Sequence, residues 1–170
     1  MKADGEDSSG PRRFLPREEL AALLAEYRES DRGRRVVLAN GCFDLLHAGH
    51  VDYLEDAKRR GDVLVVALNT DESVRKLKGE GRPRMTLAER VTLVGALRAV
   101  DFVVPFDEPT LEQTLRILRP DVHAKGADYT VETVPERQLD RELGIEVAIC
   151  GGPKQRSSSD LIAGFTPQGE

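Results

Sequence analysis

Residues 36–68 read VVLANGCFDLLHAGHVDYLEDAKRRGDVLVVAL. Two short apolar runs, Val36-Val37-Leu38-Ala39 and Val63-Leu64-Val65-Val66-Ala67-Leu68, flank a polar turn and a helical stretch from about residue 49 to 60. Neither run alternates apolar with polar, which is the pattern of strands covered on both faces in a parallel sheet flanked by helices. The stretch is therefore one βαβ unit. Upstream, Pro16 opens a helix carrying Leu20, Leu23, Leu24 and Tyr27 at helical spacing. Downstream, Thr86 and Glu89 form a capping box ahead of a helix bearing Leu87, Val91 and Val94. Phe102-Val103-Val104 is the third strand, and Leu111, Leu115 and Leu118 mark the next helix. Residues 121–124 form a fourth short strand, about 131–142 a helix, 145–149 a fifth strand, and a last helix starts near Ser158. This regular alternation predicts a single α/β domain over residues 13–170, a Rossmann-like doubly wound sheet of about five parallel strands flanked by helices. Residues 1–12, small, polar and charged, read as a disordered lead-in. In such sheets ligands bind beyond the carboxyl ends of the strands, where strand order reverses.

A chain of 170 residues and 18.8 kDa has room for one ordinary core, and 39% hydrophobic with 32% charged residues is a globular composition. No apolar run approaches the ~20 residues of a bilayer span. The opening MKADGEDSSG lacks the basic-then-apolar pattern of a signal peptide, so a cytoplasmic protein without a membrane partner is expected. Cys42 and Cys150 read as free thiols of a reducing compartment. Thirty acids against 25 bases give a net charge of −5, which argues against a protein that coats nucleic acid. Any anion must be held locally. Residues 75–90 offer such a place, with six bases (Arg75, Lys76, Lys78, Arg82, Arg84, Arg90) against two acids (Glu80, Glu89).

The turn after the first strand, Asn40-Gly41-Cys42-Phe43-Asp44-Leu45-Leu46-His47-Ala48-Gly49-His50, carries the most chemistry. Gly41 allows a tight turn, and Gly49 lets the opening of a helix approach a bound group. Free backbone N–H groups and the helix dipole favour a phosphate there. His47 and His50, three apart, can point at one spot and donate to oxygens that gain charge as pyrophosphate departs. Asp44, His47 and His50 could instead supply three metal ligands, although no HExxH general base accompanies them. Cys42, with no base partner evident in sequence, reads as a small buried filler. Lys78 before Gly79 can reach a phosphate as a mobile point charge. Lys125-Gly126, placed after the fourth strand with Asp128 and Tyr129 behind, suits a phosphosugar or an ordinary turn. Ser157, Ser158 and Ser159 can receive phosphate oxygens or simply cap a helix. His123 reads as structural.

GCFDLLHAGH resembles the HxGH signature of the nucleotidyltransferase superfamily that includes cytidylyltransferases, pantetheine-phosphate adenylyltransferase and class I aminoacyl-tRNA synthetases. The companions Asn69-Thr70-Asp71, Ser73 through Gly79, Arg82-Pro83, Arg90, Lys125 through Tyr129 and Arg156-Ser157-Ser158-Ser159 sharpen the likeness to the adenylyltransferase domain of bacterial ADP-heptose synthesis, which many relatives fuse to a sugar kinase. The resemblance covers about residues 35–165 and implies a stand-alone transferase. It implies catalytic roles for His47, His50 and Lys78, and nucleotide contacts at Asn40, Gly41, Cys42, Phe43, His47, Gly49, His50, Lys125, Gly126, Arg156, Ser157, Ser158 and Ser159. Acceptor contacts are implied at Asp44, Asn69, Lys78, Arg90, Asp128 and Tyr129. The partners it implies are ATP and a phosphorylated sugar, D-glycero-D-manno-heptose 1-phosphate, with Mg²⁺ on the triphosphate, no protein-held metal, and a homodimer as the common assembly. A cytidylyltransferase acting on glycerol 3-phosphate or another alcohol phosphate, a non-catalytic nucleotide-binding module and a metallohydrolase are the competing expectations.

Overall fold

The computed structural model describes residues 14–152. The lead-in, Arg156, Ser157, Ser158, Ser159 and the helix expected near Ser158 lie outside the described residues. Five strands, β1 (Val36–Gly41), β2 (Val63–Asn69), β3 (Phe102–Phe106), β4 (Val122–Gly126) and β5 (Glu146–Cys150), make one sheet in the order β3-β2-β1-β4-β5. Every neighbouring pair is parallel. The helices are α1 (Arg17–Ser30), α2 (Ala48–Lys58), α3 (Asp71–Lys78), α4 (Leu87–Gly95), α5 (Glu112–Leu118) and α6 (Arg137–Leu143).

The unbroken apolar runs are explained by two covered faces. Val37, Ala39, Leu64, Val66 and Leu68 pack with Tyr53 and Leu54 of α2 and Val91 and Val94 of α4. Val36, Leu38, Val63, Val65 and Ala67 pack with Leu20 and Leu24 of α1, Leu115 and Leu118 of α5 and Leu139 of α6. Burying each Val or Leu side chain contributes roughly 1.5–3 kcal/mol. These two layers, rather than any helix cap, hold the sheet.

The chain builds outward from β1 through β2 to β3, then returns to lay β4 on the other side of β1. Pairing of β1 with β2 runs to Gly41↔Leu68, whereas pairing with β4 ends at Ala39↔Ala124. The sheet therefore forks just past Ala39 and Ala124, at the reversal of strand order where such folds bind ligands.

Several local expectations need correction. β4 runs on through Lys125 and Gly126, which the sequence places after the strand, and this carries Lys125 into the interior at 5% exposure. α6 starts at Arg137 rather than near 131, because Thr130 and Thr133 close a turn on each other and Pro135 disfavours helix in the residue before it. The sequence reading assigns no helix at Asp71–Lys78, yet one forms: the Thr70 side chain accepts the Ser73 N–H, and Gly79 at φ 91° stops the helix. Leu23 faces outward on α1, leaving Leu20 and Leu24 as its buried stripe.

Candidate active site

The turn between β1 and α2 is shaped by its own side chains. Phe43 and Leu45 hold positive φ values of 48° and 130°, each costing a non-glycine residue about 1–3 kcal/mol unless the surroundings fix it. Two anchors do so. The Phe43 ring is buried against His50 and stacks on Tyr53, with centroids 4.9 and 6.4 Å away. The Asp44 carboxylate, 1% exposed, accepts the Arg84 N–H at 2.7 Å and the Met85 N–H at 3.0 Å and pairs with Arg82. A Cβ on Gly41 would stand 2.9 Å from the Phe43 ring, so glycine is required there by close approach.

His47 caps α2, and the two histidines form a reciprocal capping box in which His50 Nδ1 accepts the His47 N–H at 3.3 Å. Their rings stack at 3.8 Å between centroids, both half-buried at the carboxyl end of the central strand. A Cβ on Gly49 would press the His47 ring at 3.1 Å. No acidic residue stands in the first turn of α2, so its positive end is open to an anion. Asp44 is turned toward the loop before α4 rather than toward the histidines. Among the described residues no group of three or more His, Cys, Asp and Glu could hold a metal ion.

Across the fork, the Lys125 ammonium donates to Asn40 Oδ1 at 3.2 Å, lies 3.6 Å from Glu136 Oε2 and sits 4.8 Å above the Tyr129 ring. Burial pushes the Lys125 pKa down, and the Glu136 carboxylate opposes that without cancelling it. Burial pushes the Glu136 carboxyl up, but the Lys125 ammonium and the Leu111 N–H outweigh it and hold the carboxyl below its usual range. Tyr129 and Asp128 follow on the exposed turn after β4. Glu136 carried no signal in the sequence, where it falls inside the helix expected over about 131–142. Its importance depends on a contact eleven residues away in the chain, between Lys125 and Glu136.

The basic segment divides into two groups. Arg90 is wholly buried and donates to the carbonyls of Met85, Cys42 and Asn69 and to the Asp71 carboxylate. With Arg82 held by Asp44 and Lys76 paired with Glu72 at 2.7 Å, three of the six cations are engaged within the protein. Arg75, Lys78 and Arg84 are exposed. Burial raises the Cys42 thiol pKa, opposed by Lys78, Arg90 and Arg82. Lys78 is thus close enough to be felt at the turn, and Cys42 is poorly suited to act as a thiolate. Cys42 is half-buried and contacts Asn69 Oδ1 at 3.5 Å, while the Asn69 amide donates to Ser73 Oγ at 2.9 Å. The side chains of Asp44, Asn69 and Arg90, expected as acceptor contacts, all bond within the protein.

The cytidylyltransferase-like family matches residues 38–159. The chain is 48% identical over 135 residues to the bifunctional protein HldE of Citrifermentans bemidjiense, covering 79% of this chain and 28% of the relative. It is 52% identical over 131 residues to HldE of Hydrogenovibrio crunogenus, covering 77% and 27%. The chain thus spans less than a third of the length of these relatives. Among solved structures, the lipopolysaccharide core biosynthesis protein of Thermoplasma volcanium superposes with a TM-score of 0.62 at 27% identity, over 72% of this chain and 100% of that one. Pantoate-beta-alanine ligase of Francisella tularensis superposes with a TM-score of 0.63 at 17% identity, over 91% and 74%, and shows the fold alone. With the HAGH turn at the fork of the sheet and a family match that runs from β1 to the last serines, this chain belongs to the cytidylyltransferase-like family of nucleotidyltransferases.

Proposed function

We propose that the chain transfers AMP from ATP to D-glycero-D-manno-heptose 1-phosphate, releasing pyrophosphate and giving ADP-heptose. The observation that carries the reading is the stacked pair His47 and His50 at the open end of α2, beside the fork of the sheet. The likeness to HldE proteins and to a lipopolysaccharide core biosynthesis protein supports a heptose phosphate as acceptor. An acceptor phosphate oxygen attacks the α-phosphorus in line, the new P–O bond forms, and the bond to the β,γ-pyrophosphate breaks. Because the acceptor is already an anion, no strong general base is needed.

His47, His50 and the mobile Lys78 hold the phosphates and stabilise charge as it moves toward the leaving group, while Asn40, Lys125 and the α2 opening position the nucleotide. The serines at 157–159 complete the phosphate contacts in this reading. Mg²⁺ arriving with the triphosphate would supply charge neutralisation beside His47, His50 and Lys78. The assembly we propose is a homodimer, and the compartment the cytoplasm, which supplies ATP and suits the free thiols Cys42 and Cys150.

The test is a panel of ATP and CTP with heptose, glycerol and other phosphates, read by pyrophosphate release. ATP with the heptose 1-phosphate is expected to be the best pair, and a preference for CTP overturns the assignment. Replacing His47 or His50 by Ala is expected to lower kcat by ~10² or more with the melting curve retained. Wild-type turnover in both variants refutes their role.

A further inference from the structure

Two carboxylates near the start of α6 lie beneath the fork, and neither belongs to the motifs that mark the family resemblance. Glu136 and Asp140 are buried at 5% and 0% exposure against the carboxyl half of β4. Because strand residues alternate in direction, His123 and Lys125 leave β4 on the face opposite Val122 and Ala124, toward α5 and α6. There Asp140 takes the His123 Nδ1 at 3.0 Å, and Glu136 stands 3.6 Å from the Lys125 ammonium.

The remaining contacts of Glu136 show what it does. Its Oε1 accepts the Leu111 N–H at 3.1 Å, fixing one end of the carboxylate to the start of α5. Its Oε2 is buried with no hydrogen-bond partner among the described residues, and the group nearest in charge is Lys125. A buried carboxylate oxygen left this way is costly unless a cation answers it. Lysine carries three donors and no acceptor, so its contact with Asn40 also turns the carbonyl end of that amide toward β4.

We propose that Glu136 is the positioning residue for Lys125, holding its ammonium charged and aimed at Asn40 across the fork, so that the nucleotide meets a cation already in place. The proposal rests on the reading of Lys125 as a nucleotide contact. The groups facing Lys125 are Asn40 from β1, Tyr129 from the following turn, and Glu136 and Asp140 from α6, the last of which also bonds His123. Burial draws the ammonium toward its neutral form, and Glu136 is the largest opposing influence. Removing that carboxylate therefore lowers the pH at which Lys125 loses its proton.

The experiment measures ATP binding by calorimetry from about pH 6 to pH 10 for wild type, Glu136→Gln, Lys125→Met and the double variant. Gln keeps an oxygen for the Leu111 N–H and puts a neutral NH2 in place of the charged oxygen nearest Lys125. E136Q is expected to weaken ATP binding about tenfold and to move its alkaline limb about one pH unit toward neutral. K125M is expected to weaken binding at least as much and to abolish that limb, and the double variant to bind like K125M alone. Additive losses in the double variant, or an E136Q protein with the wild-type affinity and limb, overturn the positioning role while Lys125 stands. Wild-type affinity in K125M overturns the reading of Lys125 and the proposal with it. If E136Q does not fold, Glu136→Asp takes its place, because it keeps the charge and withdraws it from Lys125. Weaker ATP binding with a shifted alkaline limb supports the proposal, and the wild-type affinity and limb refute it.

Discussion

Asp44 stands three residues before the histidine pair along the turn and yet serves the loop that leads into α4. Its buried carboxylate gathers Arg82, the Arg84 N–H and the Met85 N–H, so the segment that leads into α4 is tied to the turn after β1 by one side chain. Taking away one partner of a buried ion pair costs about 3–5 kcal/mol, because the other charge is left in a poor solvent. Asp44→Ala is expected to lose that much in urea unfolding. Asp44→Asn, which keeps an acceptor for one N–H but not the charge for Arg82, should lose less. Equal stability of D44A and wild type would show that the loop is held by something else. The same side chain illustrates the limit of a sequence: an aspartate in a turn is visible, whereas its partners, 38 to 41 residues away, are not.

The α2 element links packing to chemistry through Gly49. Alanine is the better helix former by about 1 kcal/mol, so on propensity alone Gly49→Ala should stabilise the exposed first turn. Its methyl group, however, would stand 3.1 Å from the His47 ring, closer than carbon atoms settle. The half-exposed ring has room to yield, and in doing so it leaves its stack on His50. The expected outcome is a melting temperature equal to or above wild type together with a kcat lowered about tenfold or more, since a displacement of this size degrades positioning. A variant that is both more stable and fully active would show that the ring position does not matter.

This helix was legible between β1 and β2, which are buried on both faces and write their burial as unbroken apolar runs, and α4 was legible because Thr86 and Glu89 cap it locally, through a bond of 2.8 Å between residues three apart. The start of α6 was not legible, since apolar spacing extends back through residues that Pro135 and the Thr130–Thr133 turn withhold from the helix. Nor was the seam of His123, Lys125, Glu136 and Asp140, which interrupts an apolar layer and exists only once β4 and α6 pack together. The histidine pair belongs to the first kind of signal, set by a spacing of three. The placement of the basic segment belongs to the second.

For the molecule as a whole, Arg90 decides how the pieces around the fork are joined. From α4 it donates to Cys42 C=O at 2.8 Å in the turn after β1, to Asn69 C=O at 2.7 Å at the end of β2, to Met85 C=O at 3.1 Å and to Asp71 at 2.6 Å on α3. Five donors in a rigid fork make this possible, and a lysine ammonium cannot span the same set. Arg90→Met preserves much of the volume but strands three carbonyls and a carboxylate. Each buried unsatisfied group costs about 1–3 kcal/mol, and the half-exposed Asp71 recovers part of its share from water. A net loss of about 3–5 kcal/mol follows, which lowers Tm by roughly 10 °C in a chain of this size. Arg90→Lys should fall between.

Lys78 supplies the contrast, because it is exposed and its charge reaches the turn without bracing it. Lys78→Met should leave Tm within about 2 °C of wild type while weakening ATP binding, and it should flatten the dependence of that binding on salt, since an exposed charge acts through a screened field. In a chain of net charge −5 the anion is drawn by a few such residues and not by the molecule at large. Parallel melts and ATP titrations at low and high salt separate the two classes of cation. Loss of stability in K78M, or an unchanged Tm in R90M, would show that the division between bracing and binding charges is drawn in the wrong place.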